Sequence, residues 1–366
     1  MPTTLDDLRR LAVTQSLFPP TTLKRALEKL GFVQADPIRA PARAQDLMLR
    51  HRVKNYRAGD LERHYADLGV EEDFFINYGF VTKYVHTLMH PRSDSSVPDN
   101  GRLPWPAIRR KRAQLILEYV RERGAVHPRE VDKHFSHGKV TNYWGGSSNA
   151  TTHLLDAMHY HGLLRVVWRE NGIRIYAAQE HGPTIDGAAI RQARIDVLVD
   201  VAVQLYAPLP ERSLSTVVRR LRYAVPQWEG EITSALQRAR QRLKHTRIGK
   251  IDWYWPSNAA HSLPDDRVRL LTPFDPIVWD RMRFELLWDW IYRFEAYTPL
   301  PKRKLGYYAL PILWRDRVIG WGNLSVKNAE LKSKFGYIKS PPRDRVFVRE
   351  LAAELDRIRL FLGFKA

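Results

Sequence analysis

From Leu164 the chain runs Leu-Arg-Val-Val-Trp-Arg, meets Asn171-Gly172, and returns as Ile173-Arg174-Ile175-Tyr176. Asn-Gly between two β-prone runs is a strong signal for a two-residue hairpin, because both central positions need a positive φ. Three helical patterns precede it. The first follows Arg109-Arg110-Lys111-Arg112, carries Ile116, Leu117 and Val120, and ends at Gly124. His127-Pro128-Arg129-Glu130 starts a short second helix. Ser148 or Asn149 caps a third, with Leu154, Leu155 and Met158 on its apolar side and Gly162 as its stop. Three helices and a hairpin in that order describe a winged helix-turn-helix, the third helix facing a major groove and the hairpin forming the wing.

The pattern recurs. Ile195, Leu198, Val199, Ala202 and Leu205 mark a helix over 194–205, Ser213 caps one through Val217, Val218 and Leu221, and a third starts at Glu231. The stretch 234–250 then carries Arg238, Arg240, Arg242, Lys244, Arg247 and Lys250 with no acid, and Ile251–Trp255 is the returning strand. A divergent third copy fits the first hundred residues. Thr4 caps a helix bearing Leu5, Leu8, Leu11 and Ala12, Pro19-Pro20 breaks it, and a second helix runs from Thr22 to its stop at Gly31. Phe32-Val33-Gln34 is a short strand. Asp36-Pro37 reads as a helix cap with proline in the first turn, opening a helix through Ala44, Leu47 and Leu49, with Pro41 pushing its start later. Residues 91–106 are polar and proline-rich, a linker or loop. From Arg267 short alternating strands and a final amphipathic helix (Val348, Leu351, Leu355, Ile358, Phe361) suggest a small β-barrel or curled sheet capped by a helix. The expected fold is thus α+β, with winged helices over 1–100, 107–180 and 188–262 and a barrel domain over 267–366.

Charge decides among partners. Lys+Arg 59 against Asp+Glu 40 leaves +19 over 366 residues, which favours a polyanion, nucleic acid before an acidic membrane surface. Cationic candidates for DNA contact are Arg39, Arg43, Arg109, Arg110, Arg112, Arg238, Arg240, Arg242, Lys244, Lys302, Arg303 and Lys304. No apolar run approaches the ~18 residues of a spanning helix. The start, Met-Pro-Thr-Thr-Leu-Asp-Asp, has neither basic nor apolar signal regions. A cytoplasmic, monomeric protein is expected. The absence of cysteine excludes disulfides, thiolate metal sites and cysteine nucleophiles.

Gln34 and Asp36 are the candidates for chemistry. In an extended segment, residues two apart share a face, so an amide and a carboxylate could hold and polarise one water. Asp36 before Pro37 is most simply a helix cap; the two roles are compatible, since a helix N-terminus keeps a carboxylate ionised. An anion amid Arg39, Arg43 and Arg50 works against phosphate binding and needs a task or an ion-pair partner. His134/His137 and His159/His161 match no zinc spacing and read as surface or groove residues. Neither a Walker loop, a GxGxxG nor a GxSxG elbow is present, and Gly145-Gly146-Ser147-Ser148 is a loop and cap. Trp279, Trp288 and Trp290 read as core.

Three runs resemble the C-terminal signature of the YcaQ-like proteins, which include the AlkZ and AlkX DNA glycosylases: Leu271–Arg281, Tyr292–Pro299 and Lys302–Pro311. Gln34-Ala35-Asp36 resembles that family's Gln-apolar-Asp motif, the AlkX variant, and Ala12–Leu17 its opening helix. The resemblance implies three winged helices and a barrel around duplex DNA, with Gln34 and Asp36 catalytic. It further implies monofunctional excision of N7-alkylated purines and unhooking of crosslinks, without cofactor or metal. Before Pro91-Arg92-Ser93-Asp94 the family has a histidine; His86 is the nearest counterpart here, in a different register. On the residues alone, a non-enzymatic winged-helix regulator is the alternative.

Overall fold

The computed structural model describes residues 2–92, 105–136, 138–141, 147–180, 187–259, 262–328 and 330–364. In the first segment, local chemistry fixes each boundary. The Thr4 hydroxyl accepts the Asp7 N–H at 3.1 Å while the Asp7 carboxylate takes the Thr4 N–H at 3.1 Å, a reciprocal cap on α1 (Leu5–Ser16). Leu8, Leu11 and Ala12 are buried, as their spacing requires. Helix α2 (Leu23–Leu30) stops at Gly31, whose φ of 67° suits glycine. Strand β1 (Phe32–Gln34) is buried throughout. The helix expected from Asp36 does not form there. Asp36 instead closes a turn on the Ile38 N–H at 2.9 Å, and α3 (Ala44–Leu49) begins after Pro41, with Arg43 at its cap position. Pro41 would fall in the interior of a helix begun at Asp36, where its ring meets the preceding turn.

Helix α4 (Asp60–Arg63) leads to β2 (Val70–Phe74) and β3 (Tyr78–Thr82), an antiparallel pair with Val70 opposite Thr82, and to α5 (Lys83–Met89). Next come α6 (Ala107–Arg123), β4 (Ala125–Val126), α7 (Pro128–Phe135), β5 (Lys139–Thr141), β6 (Ser147–Asn149), α8 (Ala150–Tyr160), β7 (Leu164–Glu170) and β8 (Ile173–Ala178). Asn171 and Gly172 both adopt positive φ, 51° and 85°, so the hairpin turn forms as its sequence dictates. Ile116, Val120, Val131, Leu155, Met158 and Tyr176 pack one core between these helices and the sheet β4-β8-β7. Asn149 caps α8 by accepting the Thr152 N–H at 2.9 Å. The β5–β6 hairpin has no counterpart in the sequence reading. Gly145 and Gly146, His137 and most of the expected linker, 93–104, lie outside the described residues.

Helix α9 (Ala188–Tyr206) is longer than expected. After β9 (Leu209–Pro210), α10 (Glu211–Arg220) starts ahead of Ser213, which therefore sits inside the helix rather than capping it. Helix α11 (Ile232–Arg242), β10 (Lys244–Ile248) and β11 (Ile251–Trp255) follow, in a sheet ordered β10-β11-β9. The remainder comprises β12 (Val268–Leu270), α12 (Arg281–Trp288), β13 (Leu310–Trp314), β14 (Arg317–Lys327), β15 (Glu330–Tyr337) and α13 (Arg345–Phe361). The four strands form an antiparallel sheet in the order β12-β13-β14-β15. Its end strands do not pair with each other, so among the described residues it is an open meander: of the two expected forms, the sheet and not a closed barrel.

Two compact units emerge, one of residues 1–61, 199–218 and 236–366, the other of 62–198 and 219–235. The first is pinned by buried arginines. Arg52 bonds Asp275 through two nitrogens (2.8 and 3.1 Å), the Ser16 carbonyl (2.9 Å) and the Met48 carbonyl (2.7 Å). Arg283 donates to the carbonyls of Pro276, Ile277 and Tyr206. Among the described residues no helix is long and apolar enough to cross a membrane.

Candidate active site

Gln34 closes β1 with its side chain buried, and its Oε1 accepts no hydrogen bond among the described residues. A buried acceptor left open is costly, and a bonded water or ligand group would remove that cost. Asp36 follows in the turn, half-buried. One carboxylate oxygen accepts the Ile38 N–H, and its own N–H leans on the Oε1 of buried Gln45 at 3.4 Å. Burial pushes the Asp36 carboxyl above its ordinary range, and the Ile38 N–H draws it only partly back. The Tyr297 and Tyr308 hydroxyls are raised by burial first and then by the Asp36 charge, which puts both rings within its electrostatic reach. Tyr308 is buried and shares a 3.2 Å hydrogen bond with Thr272, whereas Tyr297 is 79% exposed. Sequence reasoning did not single out Gln45, Thr272, Tyr297 or Tyr308. The signal within reach was the Tyr307-Tyr308 pair, separated from Lys302-Arg303-Lys304 only by Leu305-Gly306.

The cationic candidates divide. Arg39 is exposed and Arg43 heads α3, both within a few residues of Asp36. Arg50 is not at the site: it is buried against Glu354 (2.5 Å) and the Leu270 carbonyl (3.1 Å). Arg303 donates to the Thr298 carbonyl at 2.7 Å and lies 5.0 Å over the Tyr307 ring. A groove of about 720 Å³ brings Ala40, from the Asp36 turn, together with Arg303, Lys304, Tyr307 and Tyr308; Lys302 is exposed just before them. Arg240 pairs with Glu211 and Arg242 with Asp200, while Arg238 is half-buried and Lys244 exposed. In the second unit, Arg109 lies 4.4 Å over Trp105, Arg110 donates to the Trp105 carbonyl at 3.0 Å, and Arg112 is exposed.

The second unit also holds a buried cluster that could hold a metal ion by distance alone, in which Asp73, His86 and His90 offer ligand atoms within 4.8 Å of one another. Asp73 meets His90 Nε2 at 2.7 Å, Arg92 at 2.6 Å and the Phe74 N–H at 2.6 Å. Burial alone would raise its carboxyl, but Arg92 and then His90 hold it well below the usual range. Burial lowers His86 to about 2. The donor types suit a divalent ion, yet the carboxylate is already neutralised by a fully buried guanidinium, beside which a second cation would be unfavourable. The cluster is an ion-paired bolt between β2 and the chain after α5. His159, expected at the surface or facing a groove, is buried, with Nε2 2.8 Å from the Glu72 carbonyl.

The three runs that resembled a known signature act in concert here. Asp275 receives Arg52, Tyr292 bonds the Ala309 carbonyl at 2.7 Å, and the Glu295 carboxylate accepts the N–H groups of Lys304, Leu305 and Gly306 at 2.7–3.2 Å. They hold the loop that leads into Tyr308, whose hydroxyl feels the Asp36 charge. The sequence model of the AlkZ-like DNA glycosylases matches residues 27–361, and the chain belongs to that family. It is accordingly an enzyme, a DNA glycosylase that hydrolyses N-glycosyl bonds, which overturns the reading as a non-enzymatic regulator. Streptomyces sahachiroi DNA glycosylase AlkZ has a similar fold: TM-score 0.61 at 12% identity, covering 100% of this chain and 98% of that one.

Proposed function

We propose that this glycosylase excises cationic N7-alkylated purines from duplex DNA and unhooks N7-guanine interstrand crosslinks, with Asp36 and Gln34 as its catalytic pair. The observation that carries the reading is an Asp36 carboxylate with one N–H partner among the described residues and, two residues before it in the chain, a buried amide oxygen with none. Alkylation at N7 makes the purine a cation. When its bond to C1′ breaks, the electron pair neutralises the ring and the sugar is left oxocarbenium-like, as in glycoside hydrolysis. Asp36 stabilises that cation, water attacks C1′, and its proton passes to the Asp36 carboxylate while Gln34 holds the water in line. The products are a neutral alkylated base and an abasic site. No lysine nucleophile is required, so no strand cleavage accompanies excision.

Three winged helices, over 1–100, 107–180 and 188–262, would present the cationic side chains to the backbone of the duplex, with 267–366 carrying the loop opposite Asp36. The helix–hairpin order over 107–178 and over 188–255 supports this division. Selectivity then comes from the charge of the leaving group. The test is a set of duplexes carrying N7-methylguanine, a nitrogen-mustard crosslink or uracil. Release of the first two and not of uracil is expected; comparable release of uracil overturns the reading, since a neutral base needs a proton that no acid here supplies.

A further inference from the structure

We infer that the groove beside Asp36 is a binding site for unpaired nucleotides, one base stacking on Tyr307 while Lys304, Lys332 and Lys334 meet the adjoining phosphates. The inference rests on the reading of the chain as a glycosylase acting on DNA. The groove, about 720 Å³, has Ala40 at one margin and residues of β14 and β15 at the other. That volume falls within the ~300–1,000 Å³ of small-molecule sites. Four cations line it (Arg303, Lys304, Lys332 and Lys334) and, among the described residues, no acid does; Glu330, which pairs with Lys332, lies outside the lining and would give way to a phosphate.

Phosphate binding alone would need only the cations. The aromatic floor needs another explanation, because base faces inside an intact duplex are covered by their neighbours. Cations flanking an exposed ring are the combination used by sites for single-stranded nucleic acid. Tyr307 is the ring available: it is 45% exposed, with the Arg303 guanidinium over it at 5.0 Å. Trp321 is a wall and not a platform. It stacks on Trp290 (5.8 Å between centroids, 19° between planes), and a Cβ on Gly336 would come within 2.3 Å of its ring.

The loop is rigid before any DNA arrives. Glu295 gathers the N–H groups of 304–306, and Asn323 donates to the Leu305 carbonyl at 2.7 Å. Gly306 has φ 117°, and a Cβ there would lie 2.3 Å from the Asn323 side chain. Tyr307 and Lys304 are thereby held in place without help from the ligand, which lowers the ordering cost of binding.

The experiment is fluorescence anisotropy with the full chain on undamaged DNA, comparing a fully paired duplex with one holding an internal bubble of about five nucleotides, the span of a short single-strand site. The bubble should bind about tenfold tighter, the effect of one stacked base. Tyr307→Leu should erase that preference with duplex affinity unchanged, and Tyr307→Phe should keep it. Lys332→Gln with Lys334→Gln should flatten the salt dependence on the bubble by roughly 1–2 units in the log–log slope. Equal binding of bubble and duplex by the wild type overturns the inference, as does a Tyr307→Leu loss equal on both DNAs. Because these DNAs carry no lesion, wild-type release of N7-methylguanine reports separately on the catalytic reading.

Discussion

Asp36 and Asp73 are two aspartates of one basic chain, each near a short buried strand, and their surroundings differ in one respect. Asp73 is saturated: Arg92, His90 and the Phe74 N–H occupy its oxygens. Asp36 has a single N–H, from Ile38. Burial acts upward on both, yet Asp73 ends below its ordinary range and Asp36 above it. Burial therefore does not by itself set the direction in which a carboxylate is shifted; the number of its partners does. A saturated carboxylate fixes backbone, and one with open lone pairs can take up a proton or face a cation.

Substitution separates the two most sharply. Asp36→Asn should lower release of N7-methylguanine by about 10²–10⁴-fold, the scale of a lost general base. The same change should leave melting temperature and DNA affinity where they were, since Asn still accepts the Ile38 N–H. Retention of most of the activity would remove Asp36 from the catalytic role. Asp73→Asn should do the reverse. It strands the Arg92 guanidinium, fully buried, and should cost about 3–5 kcal/mol of stability, read as an earlier urea midpoint. A midpoint equal to wild type would show that Asp73 is not a bolt.

Proton linkage gives the next contrast. Asp73 has a depressed pKa, so the stability it lends is present above the unfolded value of about 3.8 and is lost as pH falls toward its folded value. His86 and His159 are buried with lowered pKa values. They stay neutral in the fold and would be protonated in the unfolded chain below about 6.5. Acidification from there should cost up to about 1.4 kcal/mol per pH unit per histidine. Asp36 has the opposite sign: its proton is taken up in the fold at less acid pH than in the unfolded chain. The acid limb of excision should therefore lie above the ordinary aspartate range, and a limb at or below that range would contradict the raised pKa.

The smallest effect is expected at the surface, where Glu211 and Asp200 play the saturating part for Arg240 and Arg242. Glu211→Gln with Asp200→Asn should release two cations and steepen the salt dependence of duplex binding by roughly 1–2 units. An unchanged slope would mean that these arginines stand away from DNA.

Much of this was legible in local sequence. The Thr4–Asp7 cap, the Gly31 stop and the Asn171-Gly172 turn were readable because each is decided by a few adjacent residues. The turn at Asp36 was misread as a helix start, since Asp-Pro serves both ends and only Pro41 decided between them. Strand β15 was passed over although Glu-Leu-Lys-Ser-Lys-Phe-Gly-Tyr alternates, with Glu330, Lys332 and Lys334 on one face and Leu331, Phe335 and Tyr337 on the other; three charges in eight residues masked a strand that pairs with β14 along its length. Asp73 with Arg92, and Arg52 with Asp275, were invisible for a different reason. Nothing in local periodicity reports a partner 19 or 223 positions away.

The interleaving of the first unit reaches into how the protein is made. Its opening 61 residues, Asp36 among them, belong with a segment that ends at the last residue. Arg52 waits for Asp275, and Arg50 waits for Glu354. At ordinary translation rates that wait lasts tens of seconds. A ribosome that stops before Asp275 and Glu354 releases Arg52 and Arg50 as buried cations with no carboxylate to meet them.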